Sequence, residues 1–420
     1  MSAERRKILW IKIDPLHPLD SGGKIRSFNM LKEWHQTHDI TYLSLADANI
    51  PLSCREQASE YSGSQFWVDR TDSKPNPILF ALDLVQNFLF SSLPYIVYKY
   101  RSKAFQQLIR ETLTNNDYDI VIVDFLQVSS NFLDVGIDLD KAILFEHNVE
   151  SVIWKRHAEQ ARNPLLRWYF RSQWKRCHDF EIHACSRLAG VVAVSEDDAD
   201  YFRQEMGLTN ILGYVPTGVD IDFFAGDDTP KDPHNIVFLG SMDWMPNIEG
   251  VIQFVNEVLP LVREQIPDVT LSVVGRNPAD RVKKLAAEPG VEITGTVDDV
   301  RPYLHRAALS VVPLSTGSGT RIKIYELMAA RVPVVSTTIG AEGLPLQHDH
   351  DILLADEPQA FANEVLRLMQ DTELQDKISN NAFDLVANNF TWSQVMDKFE
   401  RLCLGQGSKD SNREINEDED

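Results

Sequence analysis

The sequence predicts two doubly wound α/β domains in tandem, with mostly parallel sheets and ligand sites facing each other across a cleft. Three observations lead there. Short apolar runs alternate with longer helical patterns, the signature of consecutive βαβ units. The alternation restarts after a turn-rich segment, Phe224-Ala-Gly-Asp-Asp-Thr-Pro-Lys-Asp-Pro233. The 420 residues also exceed what one hydrophobic core ordinarily serves. The expected layout is an N-terminal Rossmann-like domain over 1–223, a linker over 224–234 and a C-terminal Rossmann-like domain over 235–385. A helix over 386–405 is expected to pack back on the N-terminal domain, followed by an acidic, disordered tail over 406–420.

The elements follow in order. In the first half the strand-like runs are Ile8–Ile13, Ile40–Leu45, Ile120–Val123, Ala142–Phe145 and Gly190–Val194, with helical stretches such as Ile25–His35 and Arg101–Asn115 between them. In the second half Asn235–Leu239, Val269–Val274, Val291–Thr294, Leu309–Pro313 and Val332–Ser336 read as strands. Asn247–Val262, Asp280–Ala287, Val300–Ala307 and Thr320–Ala330 read as the helices between them. Doubly wound sheets bind ligands at the carboxyl ends of their strands, so the strand-end loops are where chemistry is sought.

Composition narrows the class. Hydrophobic residues make up 43% and charged residues 25%, an ordinary globular balance. No apolar run reaches the ~18 residues that span a bilayer. Ile8–Ile13 is too short for a signal-peptide core and no cleavage-like site follows it, so a cytoplasmic protein is expected. Cys54, Cys177, Cys185 and Cys403 are scattered, without a CxxC pair or zinc-like spacing, which suits a reducing compartment. A net charge of −21 argues against nucleic acid as a partner.

The segment richest in chemistry is Pro313-Leu-Ser-Thr-Gly-Ser-Gly-Thr-Arg-Ile-Lys-Ile-Tyr-Glu-Leu-Met-Ala-Ala330. A strand gives way to a small, flexible loop containing Gly317, Ser318, Gly319 and Thr320, and a helix begins near Thr320. A glycine-loosened helix start offers open amides and the positive end of the dipole to a phosphate. Arg321 and Lys323 add two cations. Ile324, Leu327 and Met328 form the buried stripe, while Lys323 and Glu326 sit about 60° apart on another face. One nucleotide diphosphate can therefore meet a cation at its phosphates and a carboxylate at its ribose. A plain turn followed by a solvated Lys–Glu pair fits the same residues.

This segment resembles the donor-binding signature of family 4 glycosyltransferases, in the subset that reads Gly-x-Gly-Thr-Arg-x-Lys before the glutamate. The resemblance implies the GT-B fold, with the nucleotide-sugar donor in the C-terminal domain and the acceptor on the N-terminal side. It implies that Glu326 holds the donor ribose and that Arg321 and Lys323 contact the diphosphate. Ser318 stands where the family carries its first glutamate, so the carboxylate contact made there has no counterpart. Phe238-Leu-Gly-Ser-Met-Asp-Trp-Met-Pro-Asn247 resembles the first strand and loop of the donor domain. Many relatives carry an Arg and a Lys there; here Gly240 and Ser241 offer backbone instead. Val274-Gly-Arg-Asn277 and Gly295-Thr-Val-Asp-Asp-Val-Arg-Pro-Tyr303 resemble two further loops around the nucleotide, with Arg276, Thr296 and Val297 as the candidates.

In the N-terminal half, Pro18-Leu-Asp-Ser-Gly-Gly-Lys-Ile-Arg-Ser27 places Gly22 and Gly23 at a helix start on the cleft face, with Arg26 beside it to receive an anionic acceptor. It is neither a Walker A nor a full GxGxxG motif, and a simple strand-to-helix turn also fits. In Leu144-Phe-Glu-His-Asn-Val-Glu-Ser-Val-Ile-Trp154, His147 follows a strand. By resemblance it faces the transferred sugar, with Asn148 and Glu150 as candidate partners that fix its tautomer. The basic, aromatic stretch Arg162–Arg176 suits a membrane surface carrying a lipid-linked acceptor, and equally an amphipathic helix with an ordinary core face.

The expectation is a glycosyltransferase (EC 2.4 class) that retains anomeric configuration. Its substrates would be a nucleotide-diphosphate sugar and a glycan or lipid-linked acceptor, in polysaccharide or surface-glycan assembly. No metal or other cofactor is expected, since no DxD-type cluster stands at a strand end. Peripheral contact with the inner face of the membrane is part of the expectation. A nucleotide-sugar epimerase on the same fold and a catalytically silent binding relative remain the alternatives.

Overall fold

A computed structural model describes residues 5–48, 50–70, 77–136, 139–226, 229–316 and 322–405. The strands of the first half are β1 (Lys7–Lys12), β2 (Asp39–Asp47), β3 (Ser64–Arg70), β4 (Ile120–Asp124), β5 (Ala142–Phe145), β6 (Gly190–Ala193) and β7 (Ile211–Tyr214). They form one parallel sheet in the order β3-β2-β1-β4-β5-β6-β7. β1 and β4 are buried almost end to end, as central strands covered on both faces must be. Leu9, Ile11, Val121, Val123, Phe105 and Phe202 are among the residues of their core.

The second half repeats the plan. β8 (Asp232–Leu239), β9 (Thr270–Val274), β10 (Val291–Gly295), β11 (Ala307–Val312), β12 (Val334–Ser336) and β13 (Leu353–Leu354) run parallel in the order β10-β9-β8-β11-β12-β13. In both sheets the chain winds outward from its first strand and then returns to that strand's other side. The order therefore reverses between β1 and β4, and again between β8 and β11. Loops leaving the carboxyl ends of strands at such a point diverge and leave room for a ligand.

The described residues divide into one unit of 5–216 with 395–405 and another of 217–394. The division falls before residue 223 because 217–224 is tied to the second unit. Val219 N donates to Phe390 O at 2.8 Å, and Phe224 is buried in that unit's core. Within the first unit, Phe399 of the last helix packs 5.0 Å from Phe145 and 5.3 Å from Trp34, ring centroid to centroid. The expected single helix 247–262 is interrupted. Met245–Gln253 passes through a π-turn at Phe254–Val258 into Leu259–Arg263. Pro260 has no N–H to continue an α-helical ladder, and the wider turn precedes it. Among the described residues no helix is long and apolar enough to cross a membrane.

Candidate active site

In the second unit, β8 ends at Leu239 and hands over to Gly240 and Ser241. Gly240 N donates to Val274 O (3.0 Å) and Met242 N to Arg276 O (2.9 Å), so the loops after β8 and β9 run side by side. This approach requires glycine. A Cβ on Gly275 would lie 1.8 Å from Gly240 O. One on Gly240 would lie 2.7 Å from Asn247 Nδ2 and 3.0 Å from Lys323 Nζ.

Lys323 reaches this corner from the helix Ile322–Ala329, whose Ile324, Leu327 and Met328 are buried. Its ammonium donates to Asn247 Oδ1 at 2.6 Å and stands 5.1 Å from the centroid of Phe238. Asn247 Nδ2 donates in turn to Ser241 O at 2.9 Å. Ser241 Oγ donates to Asp243 Oδ1 (2.6 Å) and accepts from Arg276 Nε (3.0 Å). Gly240, Ser241, Arg276 and Lys323 thus form one connected polar corner at the reversal point of the sheet. Asn247 and Asp243 join its parts, and in the sequence they show only as a pair of polar residues in the loop and helix start directly after an apolar strand.

Glu326 lies almost one turn beyond Lys323. Burial raises its pKa to about 7, with Lys323 pulling the other way. Among the described residues none donates a hydrogen bond to its carboxylate. Thr296 is exposed, and Val297 packs against the core of its own unit. Neither shares a hydrogen bond with the corner among the described residues. Gly317, Ser318, Gly319, Thr320 and Arg321 lie outside the described residues.

The first unit builds its polar cluster at the equivalent reversal, between β1 and β4. Lys12 Nζ lies 2.8 Å from Asp124 Oδ2, with both side chains out of solvent. The same oxygen accepts from Trp10 Nε1 (2.8 Å) and Ser27 Oγ (2.7 Å), while Oδ1 meets His147 Nε2 at 2.8 Å. Burial alone would raise the Asp124 pKa; Lys12 and His147 override it and hold the carboxyl well below the usual range. Desolvation lowers His147 to about 4 against the pull of Asp124. With Asp124 ionised and the imidazole neutral, Nε2 carries the proton and Nδ1 presents a lone pair.

Asp124 therefore does the orienting that the sequence suggested for Asn148 or Glu150. Glu150 faces elsewhere and accepts from Gln127 Nε2 at 3.1 Å. The missed signals were a lysine inside the apolar run Ile8–Ile13 and an aspartate ending the run at Ile120. A charge buried in a strand needs a counter-charge, and these two supply each other's.

The His147 ring stacks on Phe125 at 3.8 Å and 9°. Phe125 has φ 80°, a strained conformation for an aromatic residue. Gly23 explains itself here: a Cβ on it would come 2.6 Å from Phe125 Cζ. Gly22 is the exposed first residue of the helix Gly22–Thr37, whose N-cap Ser21 makes no side-chain hydrogen bond. Arg26 is buried one turn on, and its charge helps depress the His147 pKa.

The family described as Glycosyl transferases group 1 matches residues 233–371, which span the strands, the corner and Glu326. A protein of Klebsiella pneumoniae described as an uncharacterized 44.6 kDa protein in the cps region is 20% identical over 399 residues, covering 93% of this chain and 97% of that one. The phosphatidyl-myo-inositol mannosyltransferase of Mycobacterium tuberculosis is 26% identical over 242 residues, covering 53% of this chain and 62% of that protein. The crystal structure of Anabaena Alr3699/HepE in complex with UDP and glucose superimposes with a TM-score of 0.64 at 13% identity, covering 94% of this chain and 99% of that one. The second unit thus carries a glycosyl transferases group 1 domain, within two Rossmann-like α/β domains of the GT-B architecture. The protein is a glycosyltransferase.

Proposed function

We propose that the chain transfers a sugar from a nucleotide-diphosphate donor to a glycan or lipid-linked acceptor with retention of anomeric configuration, in the assembly of a polysaccharide or surface glycan. The observation that carries this reading is the Lys323–Asn247–Ser241 chain at the carboxyl end of β8. It holds an ammonium beside Gly240, where the absent side chain lets a phosphate approach the backbone. Lys323, with Arg321 from the same motif, would neutralise the diphosphate as it leaves, and Glu326 would accept from a ribose hydroxyl. The charge balance then calls on side-chain cations rather than a metal ion.

In the transfer, the bond from the anomeric carbon to the diphosphate oxygen breaks. The acceptor oxygen bonds to the same face of that carbon, and its proton passes to the departing phosphate. His147, neutral and held by Asp124, would orient the sugar through Nδ1. Likeness to a mannosyltransferase, to a protein of a cps region and to a UDP-bound fold supports the choice of substrates. Work at the inner face of a membrane, by peripheral contact, belongs to the same proposal.

The direct test is a panel of nucleotide sugars, with mass spectrometry of the released nucleotide in the presence and absence of lipid-linked glycan extract. One donor yielding nucleotide and a heavier acceptor supports the reading. Conversion of the donor to an isomeric nucleotide sugar without any acceptor contradicts it.

A further inference from the structure

The helix Pro77–Phe90 is built inside out. Leu82, Val85 and Leu89 fall within about 60° of one another on a helical wheel. All three are exposed, as are Leu79 and, at 83%, Phe90. The inward side holds polar residues beside the half-buried Leu84 and Phe88. Asn87 is buried, donating to Leu93 O (3.0 Å) and accepting from Gln173 Nε2 (3.3 Å), and Asp83 accepts from Tyr95 Oη (2.9 Å). A helix on the surface of a water-soluble domain normally shows the reverse arrangement.

A second element extends this apolar face. Leu165, Leu166 and Trp168, at the start of the helix Pro164–Arg187, are exposed, and Trp168 lies 4.9 Å from Phe88. Arg176 fixes the junction by donating to Asn87 O (3.1 Å) and Phe88 O (2.7 Å) at the end of the first helix. Beside it opens a cavity of about 830 Å³ whose lining includes Arg101, Arg171, Lys175, Arg176 and His183, with Asp134 and Asp179 as its acids. From Gln160 to His178 the chain holds Arg162, Arg167, Arg171, Lys175 and Arg176 and not one acid, although its net charge is −21. Apolar side chains and cations have been concentrated on one face of an otherwise acidic protein.

We propose that this face of the first unit docks on an anionic lipid bilayer, with Leu82, Val85, Leu89 and Trp168 entering the interface and the arginines meeting lipid phosphates. Apolar surface and basic charge side by side is the combination an anionic membrane surface selects. A second copy of the chain fits poorly, because a two-fold contact would set the same basic residues against themselves. The proposal rests on the peripheral-contact part of the functional reading and is independent of which sugar moves.

The test sediments the purified full-length chain with vesicles of pure phosphatidylcholine and with vesicles containing phosphatidylglycerol. The chain should pellet with the anionic vesicles and stay in solution with the neutral ones. The pairs Leu82→Glu/Leu89→Glu and Arg171→Glu/Lys175→Glu should each cut the bound fraction by about tenfold or more. Their melting temperatures and their nucleotide release in vesicle-free buffer should match the parent. Failure of the parent chain to pellet overturns the proposal, as does equal binding to both vesicle types. A concentration-dependent dimer in light scattering that Leu82→Glu/Leu89→Glu dissolves, with no pelleting, gives the face to a second copy and also overturns it. Normal pelleting with no nucleotide release from any donor supports the docking face while contradicting the transfer reaction.

Discussion

Lys12 and Asp124 meet at 2.8 Å with neither side chain open to solvent, and the far oxygen of the same carboxylate holds His147 at 2.8 Å. A cation and an anion on neighbouring central strands thus fix the direction of an imidazole at the end of a third strand, while burial keeps that ring neutral.

Removing one member of that pair leaves the other charged and buried. Lys12→Met or Asp124→Leu alone should cost about 3–5 kcal/mol in stability. The double replacement should cost less than either, because no buried charge remains. Urea denaturation of the three variants checks the ordering; a double variant as unstable as the sum of the singles would refute it.

His147 should stay neutral through the physiological range. Its folded pKa of about 4 lies below the ordinary value of 6.5. The unfolded chain therefore binds the proton first, and stability contributed by the neutral ring is present above pH 6.5 and lost as pH falls toward 4. An NMR titration of the ring protons, assigned with His147→Gln, should show no midpoint between pH 5.5 and 7.5. Asp124→Asn should move the midpoint lower still, since the carboxylate is what favours the charged ring.

Next to His147, Glu146 has the opposite sign. It is fully buried, and desolvation together with Glu181 and Glu150 raises its pKa well above the usual range. Its protonated form contributes stability that is complete below about pH 4.5 and declines as pH rises, by on the order of 1 kcal/mol per unit. Glu146→Gln, which cannot ionise, should gain stability relative to the parent on going from pH 5.5 to 7.5. Equal urea midpoints for the two proteins at both pH values would refute this.

Gly240→Ala puts a methyl 3.0 Å from Lys323 Nζ and 2.7 Å from Asn247 Nδ2. Lys323 must give way, so KM for the donor should rise by about tenfold while the fold is kept. Donor kinetics with a circular dichroism melt distinguish this from unfolding.

Much of this architecture can be read from residues. The central strands are apolar on both faces, so β1, β4, β8 and β11 stand out as runs. β3 and β7 do not: Ser64-Gln-Phe-Trp-Val-Asp-Arg70 is an outer strand with alternating exposure, and β7 carries Gly213 at φ 145°. β13 has only two residues, too few for any pattern. In the corner, the glycine and the cations were legible because phosphate chemistry has a strong local signature. Asn247 and Asp124 show only as polar residues at the edge of apolar runs, because the lysine each one meets lies more than 70 residues away in sequence and local spacing does not reveal that pairing. The helix Pro77–Phe90 went unread because its apolar residues resemble a core-facing stripe; only its exposure reveals the inversion.

The central claim is that Lys323 binds the leaving diphosphate. Its most direct test is kcat/KM for nucleotide release from the true donor by Lys323→Ala. The substitution should lower it by a factor on the order of 10²–10³, with partial recovery in Lys323→Arg. A Lys323→Ala protein that keeps the parent's kcat/KM would contradict it.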